Sequence, residues 1–156
     1  MKLWFNLLCR DIEAQLRFYQ ALLDLPEAEA SRSPIYRALE TADFQFGFNA
    51  QAAYALLNLA DRQPQDSTET PVVAYATLML DTPEALDKAV AQVPALGGTV
   101  LKAPYATYYG QWQAVLCDPE GHVFRLSTLS LPGGARSRHR RMRQAEPQPR
   151  LRPLGR

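Results

Sequence analysis

The chain of 156 residues is 47 % apolar, enough for one packed domain or for two small halves that share a core. Residues 1–130 carry nine Lys and Arg against fifteen Asp and Glu, a net of −6, while residues 131–156 carry eight Arg and one Glu, a net of +7. Two cysteines exclude a disulfide framework, and the early charges of MKLWFNLLCRD exclude a signal peptide, so a cytoplasmic, reduced setting is expected.

LWFNLLC (3–9) reads as a strand with Leu3, Phe5, Leu7 and Cys9 on one face and Trp4, Asn6 and Leu8 on the other. Asp11 is a suitable N-cap for a helix in which Ile12, Leu16, Tyr19 and Leu23 recur at helical spacing. Asp24-Leu25-Pro26 closes it. Three extended pieces follow, SPIYRALET, DFQFGFN and AYALLNLA, and the alternating Phe44, Phe46 and Phe48 are expected in the core. DRQPQDSTET (61–70) has no apolar residue and reads as a linker.

The pattern then repeats. VVAYATLML (72–80) is a strand, and Asp81-Thr82-Pro83-Glu84 opens a helix with proline at its first position. Leu86, Val90 and Val93 form its apolar stripe, and Pro94 with Gly97-Gly98 ends it. TVLKAP, TYYGQWQAVL and HVFRLSTL supply three more strands. The fold class is α+β: two tandem βαβββ units, about 1–60 and 71–130, forming a curved mixed sheet around a shared cavity with the helices outside.

Cys9 and Cys117 read as buried thiols near strand ends, and His122 as a residue that hydrogen-bonds its own turn. In TYYGQWQ, Tyr108, Gly110, Trp112 and Ala114 share one face, and Tyr109, Gln111, Gln113 and Val115 the other. Alternation alone leaves open which set faces the helix. Residues 131–156, rich in Arg, Pro and Gly without a period, read as a disordered basic tail.

RDIEAQLRFYQALLDLP (10–26), YATLMLDTPEALDKAVAQVPALGGTVLKAP (75–104) and YYGQWQAVLCDPEGHVFRL (108–126) resemble, in this order, the vicinal oxygen chelate superfamily. Its members include glyoxalases, bleomycin-resistance proteins and extradiol dioxygenases. The resemblance takes in most of residues 1–130. It implies a shared cavity in which metal-dependent members hold a divalent cation through His or carboxylate ligands.

Matched motif to motif, the first-strand histidine of those members falls on Trp4, the one opening the second unit on Tyr75, and the final-strand glutamate on Arg125. AYALLNLA offers only Asn58. Tryptophan has no lone pair to give, and a guanidinium is a permanent cation. No metal and no cofactor are therefore expected.

The candidate ligand-binding residues are Trp4, Asn6, Tyr75, Tyr108, Trp112 and Arg125, around a small anionic or partly aromatic molecule. Arg125 either meets that ligand, helped by stacking on Trp4, or pairs with an internal carboxylate such as Glu40 or Asp43. The resemblance implies a homodimer, since homodimers are common in that superfamily. The alternatives are a metal-dependent lyase, isomerase or dioxygenase, and an interaction protein whose arginine-rich tail contacts nucleic acid. No contact with a membrane is expected.

Overall fold

The computed structural model describes residues 1–65 and 72–134. The basic tail from residue 135 onward and residues 66–71, which include the second half of the linker, lie outside the described residues. The elements are β1 (Leu3–Cys9), α1 (Ile12–Leu23), β2 (Tyr36–Glu40), β3 (Phe44–Ala50), α2 (Ala52–Leu56), β4 (Ala76–Met79), α3 (Pro83–Gln92), β5 (Thr99–Ala106), β6 (Trp112–Cys117) and β7 (Val123–Thr128). No helix among the described residues is long and apolar enough to cross a membrane.

Both long helices begin as the sequence predicts. The Asp11 carboxylate accepts from the Ala14 amide at 2.9 Å, and the Thr82 hydroxyl accepts from the Ala85 amide at 3.1 Å, with Pro83 at the first helical position. Helix α1 stops where Asp24 turns left-handed at φ 53° and its amide bonds back to Gln20.

The strands form two mixed sheets, ordered β1-β3-β2 and β4-β7-β6-β5. In each unit the first strand pairs in parallel with the last, β1 with β3 and β4 with β7. The architecture is thus α+β and duplicated, but the first unit differs from its expectation. AYALLNLA is not a strand: its alanines and leucines carry the short helix α2 and the turn after it. Strand β3 already has a neighbour on each side, so no inner place was left for another strand. The edge strand that the second unit has as β5 shrinks in the first to a single bridge between Glu27 and Leu39. Strand β4 is likewise shorter than expected, with Val72, Val73 and Tyr75 exposed ahead of it.

One core serves both units. The ring of Tyr19, fully buried on α1, meets Phe46 at 4.7 Å and Phe48 at 5.4 Å on the first sheet, and Phe124 at 5.4 Å on the second. Phe44 packs at the margin of this core and Cys9 lies inside it, whereas Cys117 is only half-buried. Burial first, then the nearby Asp118 carboxylate, drives the Tyr19 phenol well above its ordinary value, so its proton stays on.

That proton is used. Tyr19 donates to Asp118 Oδ2 at 3.0 Å, and Asp118 Oδ1 accepts from the Glu120 and His122 amides, each at 3.0 Å. The His122 ring completes the set, with Nδ1 2.9 Å from Asp118 Oδ2 and Nε2 3.2 Å from the Leu8 carbonyl. Glu120, on the same turn, accepts from the amides of Arg10 at 2.8 Å and Asp11 at 2.7 Å, just ahead of α1. The Asp118-Pro119-Glu120-Gly121-His122 turn of the second unit therefore holds the start of the first unit's helix. Truncating Glu120→Ala leaves two amides without an acceptor and should lower unfolding free energy by about 1–2 kcal/mol in a urea titration.

Both partners of the His122 ring, a carboxylate and a carbonyl, are acceptors, so this setting favours donation from both nitrogens, the imidazolium form. Burial alone would lower its pKa; the hydrogen bond and charge of Asp118, with the Leu8 carbonyl, outweigh that and raise it. A raised folded value stabilises fully below 6.5, the ordinary imidazole value, and the gain fades as pH climbs through the folded value. The midpoint of thermal unfolding should fall as pH rises above about 6.5, and the fall should vanish in His122→Asn. Equal slopes for the two proteins would exclude the imidazolium as the cause.

Candidate functional site

The β6–β7 register sets which side chains can meet. Val115 pairs with Arg125 and Gln113 with Ser127, while Ala114 pairs with Leu126 and Trp112 with Thr128. Ala114 and Leu126 are fully buried in the core. Opposed residues share a face, so Trp112 stands on the helix side, where its indole donates to Asp87 of α3 at 2.7 Å. The expected grouping of Trp112 with Arg125 is overturned. Tyr108 is 79 % exposed and packs edge-on against Tyr109 in the turn before β6, away from the ladder.

The face opposite the helix carries its chemistry in rows. Strands β5, β6, β7 and β4 place Lys102, Val115, Arg125 and Thr77 side by side. The next row is Tyr105, Gln113, Ser127 and Met79. Hydrogen bonds tie the second row together. Tyr105 donates to Gln113 Oε1 at 3.2 Å; Gln113 Nε2 donates to Tyr109 at 2.8 Å and to Gln111 at 2.9 Å; Ser127 donates to Gln111 at 2.9 Å. Gln113 and Ser127 are buried beneath this network.

Arg125 is half-buried. Its Nε donates to Thr77 Oγ1 at 3.1 Å, and its Cζ lies 5.2 Å from the centre of the Tyr75 ring. The ring beside the guanidinium is thus Tyr75, and Trp4 belongs to the other sheet. Neither carboxylate expected as an internal partner reaches it: Glu40 pairs with Lys2, and no ion pair joins Asp43 to Arg125 among the described residues.

The equivalent face of the first sheet is closed by its own side chains. Asn6 pairs with Gly47 as Thr77 pairs with Arg125, so Gly47 occupies the place of the arginine. Tyr36 lies across that glycine, where a Cβ would fall 2.4 Å from its hydroxyl and 2.2 Å from Asn6 Oδ1. Tyr36 donates to Gln45 at 2.8 Å, and Asn49 donates to Asn6 at 3.3 Å. Asn6 is therefore a member of this cluster. Asn58, expected on a last strand, instead follows α2 with φ 57°. Trp4 stands at the margin of this face, 56 % exposed.

A divalent cation does not suit these donors. The positions matched to metal ligands hold an indole, a phenol and a guanidinium, and their neighbours supply hydroxyls and amides rather than carboxylates or imidazoles. Among the described residues no three His, Cys, Asp or Glu side chains gather as a ligand set.

Thr77, Lys102, Tyr105 and Ser127 were not singled out from the sequence, and Tyr109, Gln111 and Gln113 were grouped on one face without a decision on which way it points. Assigning Ala114 and Leu116 to the core would have fixed the parity of β6 and brought Gln111 and Gln113 to the face of Arg125.

A family model described as a glyoxalase-like domain matches residues 3–127. No curated protein matches the chain. Among solved structures, a glyoxalase/bleomycin resistance protein/dioxygenase family enzyme from Burkholderia phytofirmans PsJN is 42 % identical, covering 81 % of this chain and 96 % of that one at a TM-score of 0.73. A glyoxalase-related enzyme from Fulvimarina pelagi is 19 % identical, covering 82 % and 87 % at 0.64. The fosfomycin resistance protein FosX from Mesorhizobium loti is 18 % identical, covering 84 % and 92 % at 0.56. With a shared domain over nearly all of residues 1–130 and a relative of this similarity, the chain belongs to the glyoxalase-like family of the vicinal oxygen chelate superfamily.

Proposed function

We propose that the protein binds a small anionic, partly aromatic molecule on the open face of its second sheet, without a metal ion. The observation that carries this reading is Arg125. Its guanidinium is half-buried, uses Nε on a threonine, and among the described residues pairs with no carboxylate. Such a group is stabilised by an acceptor from outside, and its planar fork suits a carboxylate. Tyr75 offers a flat apolar wall beside it, and the Gln113 network fixes the neighbouring row. Two cysteines that form no disulfide framework suit a reducing, cytoplasmic setting.

Titration calorimetry with benzoate in the presence of EDTA tests the site. Arg125→Leu should weaken binding by about 10- to 100-fold, the worth of a charge-assisted bidentate contact, with the cooperative unfolding transition retained. Equal affinity in the variant, or binding that EDTA abolishes, would defeat the proposal.

The same reading includes a homodimer. Strands β1 and β4 are both sheet edges with unpaired backbone groups, and both present apolar side chains: Leu3 and Trp4 on one, Val73, Tyr75 and Met79 along the other. If β1 of one copy meets β4 of the other, both edges are covered in a closed two-fold arrangement. Trp4 of one copy then stands beside Tyr75 and Arg125 of the next. Sedimentation should show a dimer for the protein and a monomer for Trp4→Lys; a monomeric parent would refute the arrangement.

A further inference from the structure

Resting on that reading of Arg125, we infer that Lys102 is a second anion anchor and that the ligand carries two negative groups separated by a flat apolar spacer. Lys102 and Arg125 lie in one row of the sheet, with Val115 between them. Neighbouring strands are about 4.8 Å apart, so the two backbones stand about 10 Å apart. Val115 supplies an apolar floor at the midpoint of that span.

Both cations lie against a tyrosine, although Lys102 is exposed on the edge strand and Arg125 is half-buried on an inner one. Lys102 Nζ sits 3.7 Å from the centre of the Tyr105 ring, and Arg125 lies beside Tyr75. Lys2, Arg10, Arg32 and Arg37 pair with carboxylates; of the described cations without an ion pair, Lys102 and Arg125 are the two that lie against an aromatic face. Lysine on an edge strand commonly serves to discourage strand pairing, with its ammonium turned out to water. Lys102, itself exposed, instead lies along the sheet face, over a tyrosine whose hydroxyl is tied to Gln113. That pose gives the face two positive points and, in these rows, no negative one. A monoanion satisfies one of them; a rigid dianion satisfies both.

The test compares terephthalate with benzoate by calorimetry, using the full chain, Lys102→Met and Arg125→Leu. Lys102→Met keeps an apolar side chain of similar length and removes the charge. The parent should bind terephthalate about 10-fold more tightly than benzoate. Lys102→Met should abolish that preference while leaving benzoate affinity within about twofold, and Lys102→Arg should restore it. Arg125→Leu should weaken both ligands. Equal parental affinities, or an unchanged preference in Lys102→Met, would overturn the second anchor and leave the Arg125 reading standing. Failure of the parent to bind either acid would overturn both.

Discussion

The carboxylate of Asp118 is the constraint on which the rest of this structure depends. A charged group with no side-chain exposure is costly unless its lone pairs are taken up. Here they are met by two backbone amides of its own turn, by the His122 ring and by the Tyr19 hydroxyl. These donors come from different layers. Tyr19 roots the aromatic core of both sheets, and His122 carries the link on to the backbone of β1. Moving the turn would strand a buried charge, so the packing of one unit on the other is specified by polar geometry as well as by apolar contact.

On that frame the two units have diverged at one position. Gly47 and Arg125 occupy equivalent rungs, each on a last strand paired in parallel with a first. The glycine lets Tyr36 lie flat and seal the first sheet with its own hydrogen bonds. On the second sheet the row of Gln113 and Ser127 is likewise covered and satisfied, and the row of Arg125 is the one left with an unmatched charge. Duplication thus yields one self-satisfied face and one with an unsatisfied row, and that row is where a ligand gains most.

Much of the fold was legible in the chain. The caps Asp11 and Thr82, the stop at Asp24 and the alternation of Phe44, Phe46 and Phe48 are local signals, and local signals survive folding. AYALLNLA misled because a short apolar run does not distinguish a strand from a helix. Only the pairing of β3 with both neighbours shows that the sheet had no inner place for it. The site was half legible. Arg125 stood out as a charge inside an apolar run, and Tyr75 followed from the resemblance, but Trp112 was drawn in by its chemistry when alternation had left its face undecided. Lys102 was invisible because its row is set by the irregular register of β5 on β6, which no local pattern reports.

The contact between Glu120 and the amides of Arg10 and Asp11 has a consequence for how the chain reaches its fold. The first helix is made early in synthesis, yet the acceptor for the amides before it arrives 110 residues later. Until the final hairpin closes, those amides face water, and the first unit lacks the side chains that bury Tyr19 from the far side. Assembly therefore depends on a contact of high sequence separation, a feature that slows folding and ties it to the arrival of the β6–β7 hairpin. Until the Asp118–His122 turn is made, the first helix lacks the acceptor that holds its start.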